Sequence, residues 1–193
     1  GDTDHATSVA PAVVQAVPAA PVTIDAYGNV HVPPGSSVNI TGAPTWSWKI
    51  ARGLVLLPGE SGGYTLDGFG GVHNWGAAPT VTTTAYWANW DIARAIALNP
   101  CDRTGHSGYV LDGYGGLHPF GGAPPVTVTA YWSGWDIARS LALNPCTGGP
   151  VTGYVLDGFG GVHSFSSGTA IANPTTTAYW ANWDIARSIA VSS

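Results

Sequence analysis

The chain has 193 residues, 9% of them charged, six Lys plus Arg and a formal net charge of −5. So few cations exclude a basic patch for nucleic acid or an anionic membrane surface, and no apolar run reaches the roughly 18 residues that membrane insertion requires. Twenty-seven glycines and 15 prolines suit an all-β fold of many short strands, and an aromatic content of 11% argues against disorder.

Residues 1–20, rich in Ala, Pro, Val and Thr, show neither helical nor strand periodicity and read as a flexible tail or linker. His5 with Asp2 and Asp4 imitates an amino-terminal metal site, but tails commonly carry such residues unused, and no metal is assigned there. The lack of Met and of a leader-like stretch is expected of a processed, mature form.

From residue 21 the chain cycles. The stretch GYVLDGYGGLH at 108–118 recurs at 63–73 and 153–163, with a worn copy from Ile24 to His31. The shared leucine falls at Leu66, Leu111 and Leu156, a step of 45 residues, and Ile24 stands 42 before the first. Such a period marks an architecture whose units bury their faces against one another. Each hairpin-like stretch predicts two strands joined through glycines, with the turn amides facing an aspartate: Asp25, Asp67, Asp112 or Asp157.

Between hairpins lies a segment of the type Trp90-Asp-Ile-Ala-Arg94, repeated at 48–52, 135–139 and 183–187. Its residues individually favour helix, but alternation separates Ile92, Arg94, Ile96 and Leu98 from Asp91, Ala93, Ala95 and Ala97, which predicts a strand with one large and one small face. A small face suits close approach by a neighbouring sheet, so the segment reads as the innermost strand of a blade. Residues 80–84, 126–129 and 174–177 are β-prone and read as fourth, outer strands. Four strands in each of four cycles predict a single four-bladed β-propeller over residues 21–193, closed by the carboxy-terminal strand completing the amino-terminal blade.

The order of Trp135-Asp-Ile-Ala-Arg139, hairpin and His/aromatic strand resembles the hemopexin-like four-bladed propeller, and the hairpins are also similar to repeats of secreted actinobacterial proteins of poorly defined role. The first resemblance implies a binding or interaction module, often with ions in a central tunnel, and no catalytic residues. The chain departs from it at Lys49, where the other segments carry Asp, and in its hairpin turns.

The arginines at Arg52, Arg94, Arg139 and Arg187 are expected to be partly buried and held by carboxylates of the same or neighbouring blade, with the hairpin aspartates Asp25, Asp67, Asp112 and Asp157 as partners. Asp91, Asp136 and Asp184 at the strand starts could line a tunnel and hold a cation such as calcium, although satisfying turn amides is their simpler use. No cofactor is otherwise expected. His31, His73, His118 and His163 share one position that should lie too far apart between blades for a metal. Cys101 and Cys146, also 45 apart, follow Leu-Asn-Pro in successive units and are a candidate disulfide.

The pairs Tyr86-Trp87, Tyr131-Trp132 and Tyr179-Trp180 are candidate ligand-binding residues, because an aromatic face matches the C–H face of a pyranose. Inter-blade packing is their other use. The sequence thus predicts a secreted, extracellular, non-catalytic binding module for a glycan or cell-surface polymer. The alternative is a structural or protein-interaction propeller, possibly self-assembling.

Overall fold

The structure is a computed structural model that describes residues 21–192. The expected tail at 1–20, with His5, lies outside the described residues. Apart from one 3-10 turn at Pro58–Glu60, the regular structure is entirely β. The strands are β1 (Thr23–Ile24), β2 (Val30–His31), β3 (Ala51–Leu56), β4 (Gly62–Asp67), β5 (Val72–Gly76), β6 (Ala93–Leu98), β7 (Gly108–Asp112), β8 (Leu117–Phe120), β9 (Thr127–Val128), β10 (Ala138–Leu143), β11 (Thr152–Asp157) and β12 (Val162–Ser166). None of these elements is a helix long and apolar enough to cross a membrane.

These strands build four antiparallel sheets: β1-β2, β3-β4-β5, β6-β7-β8 and β10-β11-β12-β9. In the last three the order is that expected of the repeat, an inner strand pairing with the hairpin that follows it. Glycine is required where the units interlock. The Gly68 amide donates to the Ile50 carbonyl of one inner strand, while the Gly68 carbonyl accepts from Ile92 and Ala93 of the next. Gly113 and Gly158 repeat the arrangement.

Beyond its first two residues the inner strand has the two faces that the alternation predicts. Ile96 and Leu98 of β6 pack back with Leu66 and Val72 of the preceding hairpin, while Ala95 and Ala97 face the cluster built around Leu111, Ala138 and Leu141. Each inter-unit cluster is then closed by the next hairpin, which contributes Val110 and Phe120 at one junction and Val155 and Phe165 at the next. A disulfide joins Cys101 to Cys146 across a Cα separation of 4.9 Å, clipping equivalent loops of neighbouring units.

Three features depart from the sequence expectation. The inner strands do not alternate regularly. Ala93 stands opposite Asp112 and Ala95 opposite Leu111, so Arg94 is the extra residue of a β-bulge, and Arg52 and Arg139 occupy the same place in their strands. Bulges re-aim side chains, and here each one turns a guanidinium out of the sheet.

The outer strands are residual. Only β9 forms, and it pairs with β12 of the following unit, while Thr83 makes a single bridge to Phe120. Each connection therefore laps onto the unit ahead of it.

The ring closure is the third departure. Ile185 and Ala186 donate to the Gly158 carbonyl as their counterparts do in earlier units, but residues 184–192 belong to no sheet. Among the described residues, no backbone hydrogen bond joins them to residues 21–31, and β1 pairs with β2 alone.

Candidate functional site

Three kinds of side-chain cluster recur along the stack, and each is built by the hairpin turn. In the turn after β4, Asp67 Oδ1 accepts from the amides of Phe69 and Gly71 at 2.8 and 2.9 Å, and Gly70 adopts φ 87°. Only glycine tolerates that conformation without strain, and a β-carbon there would also meet the Trp87 ring at 2.7 Å. Asp112 and Asp157 repeat these bonds in their turns.

The second oxygen of each buried aspartate accepts from a histidine. His73, His118 and His163 Nε2 lie 2.7, 2.8 and 2.9 Å from Asp67, Asp112 and Asp157 Oδ2. The worn copy keeps the turn-amide bonds to Asp25 Oδ1, but its Oδ2 accepts from Asn29 Nδ2 at 2.8 Å and exposed His31 stands off at 3.6 Å. Burial pushes the Asp157 carboxyl up, but the hydrogen bonds from His163 and the turn amides hold it below the usual carboxylate range. The hairpin aspartates are thus turn and histidine acceptors, not arginine partners, which corrects that expectation. The reason is geometric: the bulge carries each arginine away from its own hairpin toward the next inner strand.

There the arginines meet the strand-start carboxylates. Arg52 forks onto Asp91, Arg94 onto Asp136 and Arg139 onto Asp184, each with Nε at 3.0 Å from Oδ1 and a second bond from Nη2. Arg94, Arg139 and Arg187 also reach back to Asp91, Asp136 and Asp184 in their own segments. Alternating charge therefore runs from unit to unit. The Arg139 hydrogen bond holds Asp184 below the ordinary carboxylate range; at Asp136 burial opposes the same shift but Arg94 and Arg139 override it. These are the three carboxylates considered for a tunnel cation, and here they serve arginines. Among the described residues no group of three or more His, Cys, Asp and Glu is placed to hold a metal.

The third cluster is aromatic, and the structure divides two of the three Tyr-Trp pairs. Trp87 and Trp132 turn inward, packing into the inter-unit clusters and meeting His118 and His163 edge-on at 4.8 Å. Tyr86, Tyr131 and Tyr179 turn outward and are exposed, as is Trp180. Beside them stand aromatics that the sequence reading passed over: Trp48, Trp90, Trp135 and Trp183, each about half exposed or more. The signal for them was present. Asn89, Gly134 and Asn182 precede three of these tryptophans with φ of 62°, 76° and 63°, a left-handed turn favoured by Asn and Gly that swings the following indole outward.

Two of the outward tryptophans, Trp90 and Trp135, meet a hairpin-tip ring, which in turn meets an outward Tyr. Trp90 lies 5.7 Å from Tyr114, and Tyr114 lies 6.3 Å from Tyr131, both edge-to-face. Trp135, Phe159 and Tyr179 repeat the trio at 5.4 and 6.2 Å. Trp48, Phe69 and Tyr86 hold the corresponding positions in the unit before. Edge-to-face packing fixes the rings while leaving faces to solvent. The surface so formed is predominantly aromatic, with Lys49, Asp91, Asp136 and Asp184 following the outward tryptophans in sequence. No protein-family model, no curated protein and no solved structure matches this chain.

Proposed function

We propose that the chain is a non-catalytic module of an extracellular protein that binds a neutral carbohydrate polymer through its repeated aromatic trios. The observation that carries this reading is the trio itself: exposed Trp, half-covered hairpin-tip ring and exposed Tyr, present in successive units with the same geometry. Pyranose rings stack on such faces, and several weak equivalent sites act together on a polymer. The scarcity of free surface charge favours an uncharged sugar over a uronate or a phosphate-bearing chain. The non-catalytic part of the reading is supported by the carboxylates, since the recurring aspartates are occupied by turn amides, histidines or arginines, and a reaction needs its acid–base pair once. The disulfide accords with an oxidising, extracellular setting.

The test is depletion of the protein by a panel of insoluble neutral polysaccharides, with tryptophan quenching by their soluble oligomers. Combined Trp90→Ala and Trp135→Ala should weaken retention at least tenfold without moving the melting temperature. Retention equal to that of the parent, or no quenching by any sugar, contradicts the proposal.

The closed four-bladed ring, the geometry that a hemopexin-like assignment implies, is the alternative arrangement of the same units. A second functional reading, a protein-interaction module, is favoured by a different observation: the unpaired segment at residues 186–191.

A further inference from the structure

Residues 186–191 repeat the inner-strand sequence, yet among the described residues no hairpin pairs with them. A groove of about 550 Å³ opens beside them, lined by Leu156, Val162, Trp180, Ala186 and Ile189 among others. By their place in the repeat these five match Leu66, Val72, Trp87, Ala93 and Ile96, and also Leu111, Leu117, Trp132, Ala138 and Leu141. At those two junctions the same set is closed by Val110 with Phe120 and by Val155 with Phe165, delivered by the next hairpin. The groove is therefore an inter-unit cluster with its Val and Phe missing.

The polar side of the seat is open in the same way. Arg52, Arg94 and Arg139 are 24%, 19% and 16% exposed and fork onto the next unit's aspartate, whereas Arg187 is 62% exposed. Its Nη1 and Nη2 hold Asp184 and the carbonyls of Asp184 and Ala186, and its Nε has no partner among the described residues. Trp180, whose counterparts Trp87 and Trp132 are covered by the next hairpin's histidine, is exposed.

The chain's own first hairpin is the obvious candidate to fill this seat, and its residues are the wrong ones. Counted from Ile24, it offers Pro33 where Phe165 is needed, although its Thr23 matches the buried Thr65 of an internal hairpin. Its next segment starts with Lys49, so the group brought against Arg187 would be a second cation. The exchange is matched one position away. Gly68, Gly113 and Gly158 lie against the aspartate of the following segment so closely that a β-carbon would sit 2.1–2.3 Å from its carboxylate oxygen. The first hairpin has Ala26 there. Ala26 and Lys49 together replace the Gly and Asp that every later unit carries, so the two exchanges are matched to each other.

We propose that residues 186–191, Arg187 and the adjoining groove are a docking seat for one further unit of the internal type, and that Ala26, Pro33 and Lys49 bar the chain's own first hairpin from it. The partner is defined by its chemistry: a β-hairpin with Val and Phe at the positions of Val155 and Phe165, followed by a segment opening on Asp. Second copies of this chain do not qualify, because their internal hairpins are engaged and their free one carries the same three exchanges. The inference is independent of the glycan reading.

The experiment continues the chain after Val191 with a second copy of residues 144–184, carrying Cys146→Ser in the copy, and follows amide exchange at residues 187–191. Exchange there should slow by about two orders of magnitude, toward that of residues 139–143. The same extension with Gly158→Ala, Phe165→Pro and Asp184→Lys in the copy should leave it fast. Equal slowing by both extensions overturns the proposal. So does slow exchange in the unextended chain; light scattering then tells whether its own hairpin or a second copy fills the seat.

Discussion

Residues 93–98 and 186–191 are nearly the same peptide, Ala-Arg-Ala-Ile-Ala-Leu and Ala-Arg-Ser-Ile-Ala-Val, held in two conditions. The first is strand β6, paired along its length with β7 and partly or wholly buried. The second enters its place on the same Gly-carbonyl bonds, then joins no strand among the described residues, and Arg187, Ser188 and Ala190 are exposed. What differs is the hairpin that follows. Strand formation in this chain is therefore a property of the junction, consistent with β-propensity being chiefly a matter of packing on a pleated neighbour.

That comparison is broken most severely by removing a junction's plug. Phe120→Ala should cost about 3–5 kcal/mol, as truncation of a fully buried aromatic does, whereas Ile189→Ala beside the open groove should cost under about 1 kcal/mol. Thermal or urea denaturation checks both, and equal losses would mean that the two sites are equally packed. Removing the clip between the loops, with Cys101→Ala and Cys146→Ala together, should cost about 2–4 kcal/mol in the same measurement.

The charge chain gives a smaller contrast. Arg94→Gln leaves Asp136 without its fork and should cost about 1–3 kcal/mol, while Arg187→Gln should stay within about 0.5 kcal/mol. Acid titration then sharpens the origin of that difference. Asp136, Asp157 and Asp184 have carboxyl groups lowered from 3.8, and Asp102, lowered to about 2, accepts from Thr104 and Ser107 against the opposing effect of burial. Groups lowered on folding stabilise the protein above their unfolded value, and that stability drains as pH falls through the folded one. These carboxylates should thus make stability fall between about pH 4 and 2. At the other extreme, burial raises Tyr109 to about 12, so its contribution is intact below pH 10 and lost as pH climbs toward 12.

Much of this was legible in the sequence, and the parts that were share one property: their cause is local. The hairpins could be read because Asp67 and its equivalents satisfy amides two and four residues ahead through glycines fixed by the turn. The small face of the inner strand was visible in Ala95 and Ala97, and the disulfide in the equivalence of Cys101 and Cys146. The bulge was not visible, because Arg94 is extra only with respect to Asp112 and Leu111 on another strand. That one residue decided the arginine partners, exchanging Asp112 for Asp136. The outward tryptophans lay between. Asn89 and Gly134 announced a left-handed turn, but only the fold shows that Trp87 enters the core while Trp90, three residues on, faces solvent. Closure was not legible for a related reason: counting strands gives the number of halves, but whether two halves fit depends on residues of both, and among the described residues 184–192 join no sheet.

The most direct test of the account is amide exchange on the unaltered chain, comparing residues 139–143 of β10 with residues 187–191. The account predicts that β10 exchanges only on global unfolding and that residues 187–191 exchange almost as freely as an unstructured peptide. Matching protection in the two stretches would show that the last strand already has its hairpin, and would contradict it.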